Sequence, residues 1–340
     1  MSVRSKHVVV CGAGGFIGGH LVRKIIASGA ASVRAVDRKP LSAWHQVSPV
    51  ENLVLDLRER EACVDAVQGA DVVFQLAADM GGMGFIETNR ALCMLNVLIN
   101  THMLLTARDC GVERFFYSSS ACVYNAAKQT TAEVAPLREE DAYPAMPEDG
   151  YGWEKLFSER MCRHFEEDFG LPCRVARYHN VYGPMGAWRG GREKAPAAIC
   201  RKVIEAKLSG SHQIEIWGDG TQTRSFMYID DCLRGTIDIA ASDARDPLNL
   251  GSAELVTINQ LVTLVEEIAG IRLQRRYNLS APQGVRGRNS ENSRVRELLN
   301  WEPSIPLADG MRHTYQWIEQ EMTQTDKTVS VAATEEYASA

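Results

Sequence analysis

The stretch that decides the fold lies near the start of the chain, where residues 7–21 read HVVVCGAGGFIGGHL. Its first part, HVVVCGA (7–13), is apolar and β-branched, which predicts a buried strand. Three of the glycines in the stretch are spaced three positions apart: Gly12, Gly15 and Gly18. Glycines at a strand-to-helix turn let the backbone approach a pyrophosphate, whose charge the helix N-terminus stabilises. The stretch therefore predicts a dinucleotide-binding βα unit.

Four further runs have the β-branched and aromatic composition of buried strands. They are SVRAVD (32–37), DVVFQLAA (71–78), RFFYSSS (114–120) and CRVARYHNVYG (173–183). Helical patterns are found over residues 16–28, 58–68, 87–110 and 152–169. Strands separated by helices predict βαβ units, a parallel sheet and right-handed crossovers. The predicted fold class is therefore α/β.

The character of the chain changes at about residue 184, where GPMGAWRGGREKAP (183–196) is rich in glycine and basic residues and has few strand signals. We expect residues 1–183 to form the dinucleotide-binding domain, with some later segments returning to it. Residues 184–322 should form mainly a smaller C-terminal lobe that binds substrate. Residues 323–340 are small and polar, which predicts a disordered tail.

The composition of the 340 residues is that of a globular protein, with 45% hydrophobic and 24% charged residues. The formal net charge of −6 gives no overall basic signature for binding nucleic acid or an anionic membrane. The sequence therefore predicts small molecules or other protein subunits as partners.

The nine cysteines are scattered, odd in number and without a CxxC pair, so the sequence predicts neither a disulfide framework nor a zinc site. His20 and His179 are expected to be structural, and their spacing makes no metal site. The N-terminus has no signal-peptide pattern, and no apolar run reaches the roughly 18 residues that span a bilayer. These features predict a soluble, cytoplasmic protein.

The second predicted strand ends at Asp37, which lies 19 residues beyond Gly18. A carboxylate at this place accepts hydrogen bonds from the adenosine ribose and repels a 2′-phosphate, which favours NAD over NADP. Arg38 argues the other way, because an arginine there can bind that phosphate. Asp56, in LDLRE, is placed either to meet the adenine or to cap a helix, and both interpretations are open.

YGWEK (151–155) places Tyr151 and Lys155 four positions apart, hence on one face of a helix. A lysine ammonium near a phenol lowers the phenol pKa from about 10 and lets tyrosine act as a base toward an alcohol. The alternative is a solvent-facing pair. Ser120, at the end of the preceding strand, favours the catalytic interpretation because it can hydrogen-bond the same alcohol.

These motifs, with NVYGP (180–184) and TRSFMYIDD (223–231), resemble the extended short-chain dehydrogenases/reductases that act on nucleotide sugars. The resemblance covers about residues 7–320. It implies a Rossmann-type doubly wound parallel sheet with bound NAD, a C-terminal sugar-nucleotide lobe and, usually, a homodimer. The cofactor contacts that it implies are Gly12, Gly15, Phe16, Ile17, Gly18, Asp37, Asp56, Ala77, Tyr151 and Lys155.

Longer strings narrow the resemblance to one branch of this family, the GDP-mannose 3,5-epimerases. They are LAADMGGMGFI (76–86), SSACVY (119–124), GGREKAPAA (190–198), WGDGTQTRSF (217–226) and GVRGRNSEN (284–292). The chain departs from the plant members after Lys202, where VIEAKLSGSHQIEI is a few residues longer.

Cys122 and Lys194 each have two interpretations. Cysteine is often buried and inert, and Lys194 lies in a basic loop that could hold phosphates. The resemblance instead implies that Cys122 removes the protons at C5 and C3 of the sugar, while Lys194 delivers a proton to the opposite face. Inversion of a carbon requires an acid and a base on opposite faces.

The resemblance implies epimerisation of GDP-mannose at C3 and C5 through transient oxidation at C4. Inversion at both carbons gives GDP-L-galactose, and inversion at C5 alone gives GDP-L-gulose. The substrate contacts that it implies are Gly81, Ser120, Ala121, Cys122, Asn180, Glu193, Lys194, Lys202, Gln222, Arg224 and Arg286.

Two alternative functions are disfavoured by the sequence. An NDP-hexose 4-epimerase or 4,6-dehydratase uses the same fold, but dehydration calls for a carboxylic acid where this chain has Ala121 and Cys122. A catalytically inactive NAD-binding sensor is disfavoured because the chain retains the serine, tyrosine and lysine of the oxidation site.

Overall fold

The computed structural model describes the backbone of residues 2–338 and the side chains of residues 2–324. The strands are β1 (His7–Cys11), β2 (Ser32–Asp37), β3 (Glu51–Val54), β4 (Val72–Gln75), β5 (Arg114–Ser120), β6 (Cys173–Tyr178), β7 (Val181–Tyr182), β8 (Gln213–Trp217), β9 (Thr223–Ser225), β10 (Met227–Tyr228), β11 (Leu248–Leu250), β12 (Leu255–Thr257), β13 (Gln274–Asn278) and β14 (Gly287–Arg288).

The helices alternate with these strands in the first half of the chain. They are α1 (Phe16–Ala27), α2 (Arg60–Val67), α3 (Met83–Thr88), α4 (Arg90–Met94), α5 (Asn96–Asp109), α6 (Tyr151–Phe169), α7 (Ala195–Ser209), α8 (Ile229–Ala241), α9 (Ile258–Ala269), α10 (Ser293–Leu299) and α11 (Leu307–Ala338).

The centre of the molecule is a seven-stranded sheet in the order β11-β6-β5-β4-β1-β2-β3. Every pairing in it is parallel. The chain therefore has the Rossmann-type α/β fold that its motifs predict. The strand order reverses beside β1, which pairs with β2 on one side and β4 on the other. Ligands of such sheets bind beyond the carboxyl ends of the strands at this reversal.

Two apolar layers hold the helices against the sheet. Val8 and Val10 of β1 face the layer that contains Leu21 of α1, whereas Val9 faces the layer that contains Leu104 of α5. This alternation follows from the two-residue period of a strand. A strand covered on both faces must be apolar along its length, which is why VVVC is continuous.

Outside the large sheet, the described residues form three small sheets, which pair β8 with β13, β7 with β10, and β9 with β12 and β14. Later segments also return to the large sheet, because β11 adds to its edge beside β6. The predicted boundary at residue 183 and the predicted disordered tail stay predictions. The backbone of the last helix is described to Ala338, and residues 339 and 340 lie outside the described part.

Three elements differ from the sequence prediction. The single strand predicted over 173–183 is divided into β6 and β7, which belong to different sheets, and Asn180 between them has a positive φ of 23°. β3 was not predicted, because a four-residue edge strand of only partly buried side chains gives a weak pattern. The single helix predicted over 87–110 is divided into α3, α4 and α5. The first break falls at Asn89, which has a non-helical φ of −128° and whose side-chain amide donates to the Phe85 carbonyl, and the second falls at Leu95. None of the helices within residues 2–338 is long and apolar enough to cross a membrane.

Candidate active site

A cavity of about 550 Å³ opens beyond the carboxyl ends of the central strands. The predicted site residues on its wall are Gly12, Gly15, Phe16, Ile17, Asp37, Asp56, Ala77, Gly81, Ser120, Tyr151, Lys155 and Lys194. The remaining predicted residues are not part of this wall: Gly18, Ala121, Cys122, Asn180, Glu193, Lys202, Gln222, Arg224 and Arg286.

The glycine turn after β1 has no room for side chains at two of its positions. A Cβ atom on Gly18 would lie 2.1 Å from the Gly12 carbonyl oxygen, and one on Gly12 would lie 2.9 Å from the Ala77 amide nitrogen. The turn thus brings the start of α1 close against the end of β1. Gly18 shapes the turn from behind while Gly12 and Gly15 line the cavity, and this backbone cradle fits a pyrophosphate.

Asp37 lies at the end of β2 and is held by backbone. Its two carboxylate oxygens accept hydrogen bonds from the amides of Gly14, at 3.1 Å, and Lys39, at 3.0 Å. Arg38 does not project as a free cation, because its guanidinium donates to the Asp79 carboxylate at 2.6 Å. Since Asp79 is only 8% exposed, Arg38 is already neutralised by a fixed anion. The arrangement fits the unphosphorylated ribose of NAD.

Asp56 does not cap a helix, so that interpretation is wrong. α2 begins at Arg60, with Glu59 in the capping position. The Asp56 carboxylate instead accepts hydrogen bonds from the Arg58 amide at 3.1 Å and from its guanidinium Nε at 3.0 Å. These bonds lower the pKa of Asp56. It lines the cavity, and its contact with adenine stays a prediction.

Tyr151 and Lys155 lie in the first two turns of α6 and are 5% and 1% exposed, so the solvent-facing interpretation is wrong. The Lys155 ammonium donates to the Ser118 carbonyl at 3.1 Å and lies 5.4 Å from the Tyr151 ring centroid. Ser120 ends β5, the strand against which α6 packs. The three side chains therefore share one end of the cavity.

Burial controls the ionisation of this group. It raises the pKa of Tyr151 well above its ordinary value, although a hydrogen bond from Ser120 opposes the shift. It also lowers the pKa of Lys155, against the nearby Glu154 charge. The expectation that Lys155 lowers the pKa of Tyr151 is thus not met, because desolvation raises that pKa instead.

Cys122 lies in a short turn directly after β5, and its backbone is fixed on both sides. Its amide donates to Ser120 Oγ at 3.2 Å, and its carbonyl accepts from the Glu148 amide at 3.1 Å. α6 passes so close that a Cβ atom on Gly152 would lie 2.4 Å from the Cys122 carbonyl oxygen. The thiol is 7% exposed, and Arg288 Nη1 lies 3.8 Å from its sulphur.

Lys194 precedes the first turn of α7 and lines the cavity. It is half-buried, in contrast to the exposed Arg192 two positions earlier. Burial lowers the pKa of Lys194, and the field of Cys122 opposes that shift. Among the described residues, its ammonium has no hydrogen-bond or ion-pair partner, so it is available to a ligand.

Two half-buried cations predicted to bind the nucleotide, Arg286 and Lys202, are each paired with an acid. Arg286 donates through both terminal nitrogens to Asp219, at 2.9 and 2.8 Å, and holds the pKa of that carboxyl well below its usual range. Lys202 donates to the Glu215 carbonyl at 2.9 Å and lies 3.5 Å from its carboxylate. A diphosphate would compete with these carboxylates.

The other predicted substrate contacts make bonds within the protein. Arg224 donates to the carbonyls of Gln283 and Val285, at 3.1 and 2.6 Å, and burial lowers its pKa to about 10. The Gln222 amide nitrogen donates to the Trp217 carbonyl at 2.8 Å, while its oxygen is buried without a partner in the described structure.

Two more of these residues also make bonds within the protein, and a third is buried. Asn180 donates from its side-chain amide to the Ser225 carbonyl at 3.0 Å. The Glu193 carboxylate accepts from the Gly191 amide at 2.7 Å. Ala121 is buried. Contact of these side chains with substrate stays a prediction.

Sequence reasoning missed Arg288 and its partner Glu148. The Arg288 guanidinium bonds the Glu148 carboxylate, which lies 140 positions earlier in the sequence, and no local pattern predicts such a pair. The only available signal was that Arg288 lies two positions after Arg286 in the quoted motif. Within the described side chains, no three His, Cys, Asp or Glu residues are grouped to hold a metal ion.

Comparisons with known proteins agree with this geometry. The model of the NAD dependent epimerase/dehydratase family matches residues 8–251. The chain is 44% identical over 325 residues to GDP-mannose 3,5-epimerase 1 of Oryza sativa subsp. japonica, covering 95% of this chain and 84% of that protein. It is 43% identical over 316 residues to GDP-mannose 3,5-epimerase of Arabidopsis thaliana, covering 93% and 82%.

A solved structure shares the fold as well. UDP-glucuronic acid 4-epimerase from Bacillus cereus, in complex with UDP-glucuronic acid and NAD, superposes with a TM-score of 0.77 at 25% identity. The match covers 92% of this chain and 99% of that one.

Proposed function

The chain belongs to the NAD dependent epimerase/dehydratase family, and we propose that it is a GDP-mannose 3,5-epimerase that works through bound NAD. One observation of the site carries the proposal. Cys122 packs in one buried cluster with Tyr151 of the oxidation group, and Tyr151 lines the same cavity as Lys194. A site with a base, an acid and an alcohol-oxidising group can invert carbons next to a ketone.

The glycine turn and Asp37 hold the cofactor. When bound, NAD supplies a reversible hydride acceptor for C4 of the sugar. Tyr151 takes the proton of the C4 hydroxyl, and Ser120 hydrogen-bonds the same oxygen. Lys155 supports the tyrosinate with its charge at 5.4 Å from the ring. The resulting 4-keto group makes the C–H bonds at C3 and C5 acidic enough for a protein base to break.

Cys122 and Lys194 then invert the carbons. The thiolate removes the C5 proton, the enolate oxygen is stabilised by hydrogen bonds from Ser120 and Tyr151, and the ammonium protonates C5 on the opposite face. Each inversion leaves a protonated Cys122 and a neutral Lys194, so the pair exchanges protons with solvent before the next one. The same sequence at C3 gives GDP-L-galactose after C4 is reduced, whereas C5 inversion alone gives GDP-L-gulose.

Incubation of the purified protein with GDP-mannose in D₂O, with products resolved by NMR, tests the proposal. We expect deuterium at C3 and C5 of the products without added cofactor. A 4-epimerase would leave every carbon-bound proton in place, and a 4,6-dehydratase would eliminate the C6 hydroxyl, so either result would contradict the proposal. Tyr151→Phe is the control, because without C4 oxidation all deuterium uptake should stop.

We propose further that the protein is a homodimer joined through α5 and α6, which pack side by side. These helices expose large apolar side chains, among them Leu98, Trp153 and Phe157. Exposed apolar patches of this kind are typical of protein–protein interfaces. Phe157→Glu should shift sedimentation from dimer to monomer, whereas Leu208→Glu, at an exposed apolar position on α7, should not.

The cysteines support a location in the reducing cytoplasm. All nine are free thiols, and all but Cys110 are buried. Oxidising compartments favour disulfides in proteins with many cysteines. Fractionation of the source cells should recover the protein with cytoplasmic markers, and recovery in a secreted fraction would contradict this assignment.

A further inference from the structure

Arg288 is a buried arginine that contacts the sulphur of Cys122. It lies in β14, is 5% exposed, and uses its three groups of donors on three partners. Nη1 lies 3.8 Å from Cys122 Sγ, Nε donates to Gln129 Oε1 at 2.8 Å, and Nη2 bonds the Glu148 carboxylate. The fork of the guanidinium thus has a fixed orientation toward the thiol.

The same partners close a ring around the cysteine. The Glu148 amide donates to the Cys122 carbonyl, and the Glu148 carboxylate holds the guanidinium that meets the Cys122 sulphur. Gln129 is itself buried, and its carbonyl accepts the Arg286 amide at 2.9 Å. The backbone and the side chain of Cys122 are therefore fixed by one connected set of bonds.

We propose that Arg288 is a positioning residue for proton abstraction, which fixes the direction of the Cys122 sulphur and stabilises its thiolate. This proposal rests on the function of Cys122 as the base. Only the thiolate is basic enough to serve. An anionic sulphur that is 7% exposed loses most of its hydration, so a hydrogen-bonded cation must replace that hydration.

Several charged or titratable groups face Cys122 from the surrounding elements. They are Cys93 of α4, Glu148, Tyr151 and Lys155 of α6, Lys194 before α7, Arg224 of β9 and Arg288 of β14.

These groups differ in whether they keep their charge. Lys194 gives up its proton during each inversion, and Lys155 is coupled to Tyr151, which also changes protonation. Arginine stays protonated at every pH at which the enzyme works. Arg224 also stays charged, but its bonds go to backbone carbonyls. Arg288 is thus the constant cation that touches the sulphur, and Glu148 keeps it there by bonding the other terminal nitrogen.

The test is the rate at which iodoacetamide alkylates Cys122, followed by mass spectrometry of its peptide across neutral and alkaline pH. Arg288→Met keeps the length of the side chain and removes the charge. We expect its alkylation profile to move to higher pH by about one unit or more, which is about a tenfold loss of rate at neutral pH. Arg296→Met, the same substitution at an exposed arginine of α10 that pairs with Glu302, should leave the profile unchanged.

An unchanged profile in Arg288→Met would overturn the proposal. If that variant fails to retain NAD, Arg288→Lys takes its place, because it keeps the charge and loses the fork. Its profile should move upward by less than one unit, and one that coincides with the wild type would overturn the proposal equally.

This measurement needs no sugar nucleotide, so it separates the proposal from the proposed function. A wild-type protein that forms no epimer from GDP-mannose would refute the function, while alkylation would still report on Arg288 and Cys122. In active enzyme, Arg288→Met should lower C5 deuterium uptake about tenfold at neutral pH and recover at higher pH. A loss that is equal at every pH would indicate a merely structural arginine and contradict the proposal.

Discussion

The two halves of the proposed site differ in what forms them, which is backbone on the cofactor side and side chains on the sugar side. The half that faces the cofactor is made by the backbone of neighbouring segments: the turn from Gly12 to Gly18, the end of β2 at Asp37, and Ala77 after β4. The half proposed to bind the sugar is made by side chains from distant parts of the chain: Lys194 on the cavity wall, and Cys122 and Arg288, which contact each other but are not part of that wall.

This difference determines which changes each half tolerates. A backbone cradle has no side chain to lose, and it fails when atoms are added where the chain comes into close contact with itself. A cluster of buried side chains fails when a charge or a hydrogen bond is removed, because the partner is then left unpaired. The substitutions below either add an atom or remove a group.

Adding one carbon to the cradle should have the largest effect. In Gly18→Ala the new Cβ would lie 2.1 Å from the Gly12 carbonyl oxygen, a backbone atom that cannot move away as a flexible side chain could. We expect a variant that retains no NAD and has no activity, measured as NAD released by denaturation. Gly84→Ala is the matched control, since its Cβ meets nothing nearer than 3.5 Å and alanine favours a helix. Normal NAD content in Gly18→Ala would show that the turn is not rigid.

Removing the thiol should have the next largest effect, and on one step alone. Cys122→Ala leaves Ser120, Tyr151 and Lys155 in place, so NAD retention and hydride transfer at C4 should continue. Deuterium uptake at C3 and C5 should fall by at least about a hundredfold, the loss expected when a positioned base is removed.

The same cluster provides a control for that loss. Cys93→Ala removes another buried thiol that packs with Cys122 and Tyr151, and it should leave uptake nearly unchanged. Lys194→Ala should block epimerisation but retain some exchange at C5, because abstraction and return on the Cys122 face remain possible. Normal epimerisation by Cys122→Ala would reduce this cysteine to core packing.

The two halves also differ in how far the sequence predicts them. The cradle was predicted residue by residue, because a strand, three spaced glycines and a helix are local features. The bonds of the sugar half join residues far apart, such as Arg286 with Asp219 at 67 positions and Arg288 with Glu148 at 140. Such pairs form only when distant segments of the chain fold against each other, so spacing identifies the chemical groups but not their partners. Asp79 was missed for the same reason.

The buried side chain of His179 makes the fold sensitive to acid. The His179 side chain is fully buried and bonds Asn249 Oδ1 through Nε2 at 3.1 Å. Burial lowers the pKa of His179 to about 4, whereas in the unfolded chain it is about 6.5. The unfolded chain therefore binds the proton first, and stability is lost as the pH falls from about 6.5 toward 4.

The variant His179→Gln isolates this contribution to the free energy of unfolding. Between about pH 7 and pH 5 the wild type should lose about 2 kcal/mol more than the variant in urea unfolding, because each unit of pKa difference is worth about 1.4 kcal/mol. Equal losses in the two proteins would mean that His179 takes up its proton in the folded state, and that the polar network around Asn249 is open to water.

The smallest expected effect concerns the ion pair between Arg286 and Asp219, which a diphosphate would have to displace. Asp219 holds Arg286 through two hydrogen bonds and also accepts the Thr221 amide at 2.9 Å. Asp219→Asn keeps one oxygen for the bonds from Thr221 and Arg286 Nη1, loses the acceptor for Arg286 Nη2, and removes the charge with which a diphosphate must compete. Because exposed ion pairs contribute about 0.2–1 kcal/mol, the KM for GDP-mannose should fall by about two- to fivefold with little change in kcat.

Asp219→Ala removes the acceptor as well, so Arg286 is no longer oriented and the KM should rise instead. Steady-state kinetics of the two variants thus separate competition from positioning, and an unchanged KM in both would mean that Arg286 does not bind the phosphates.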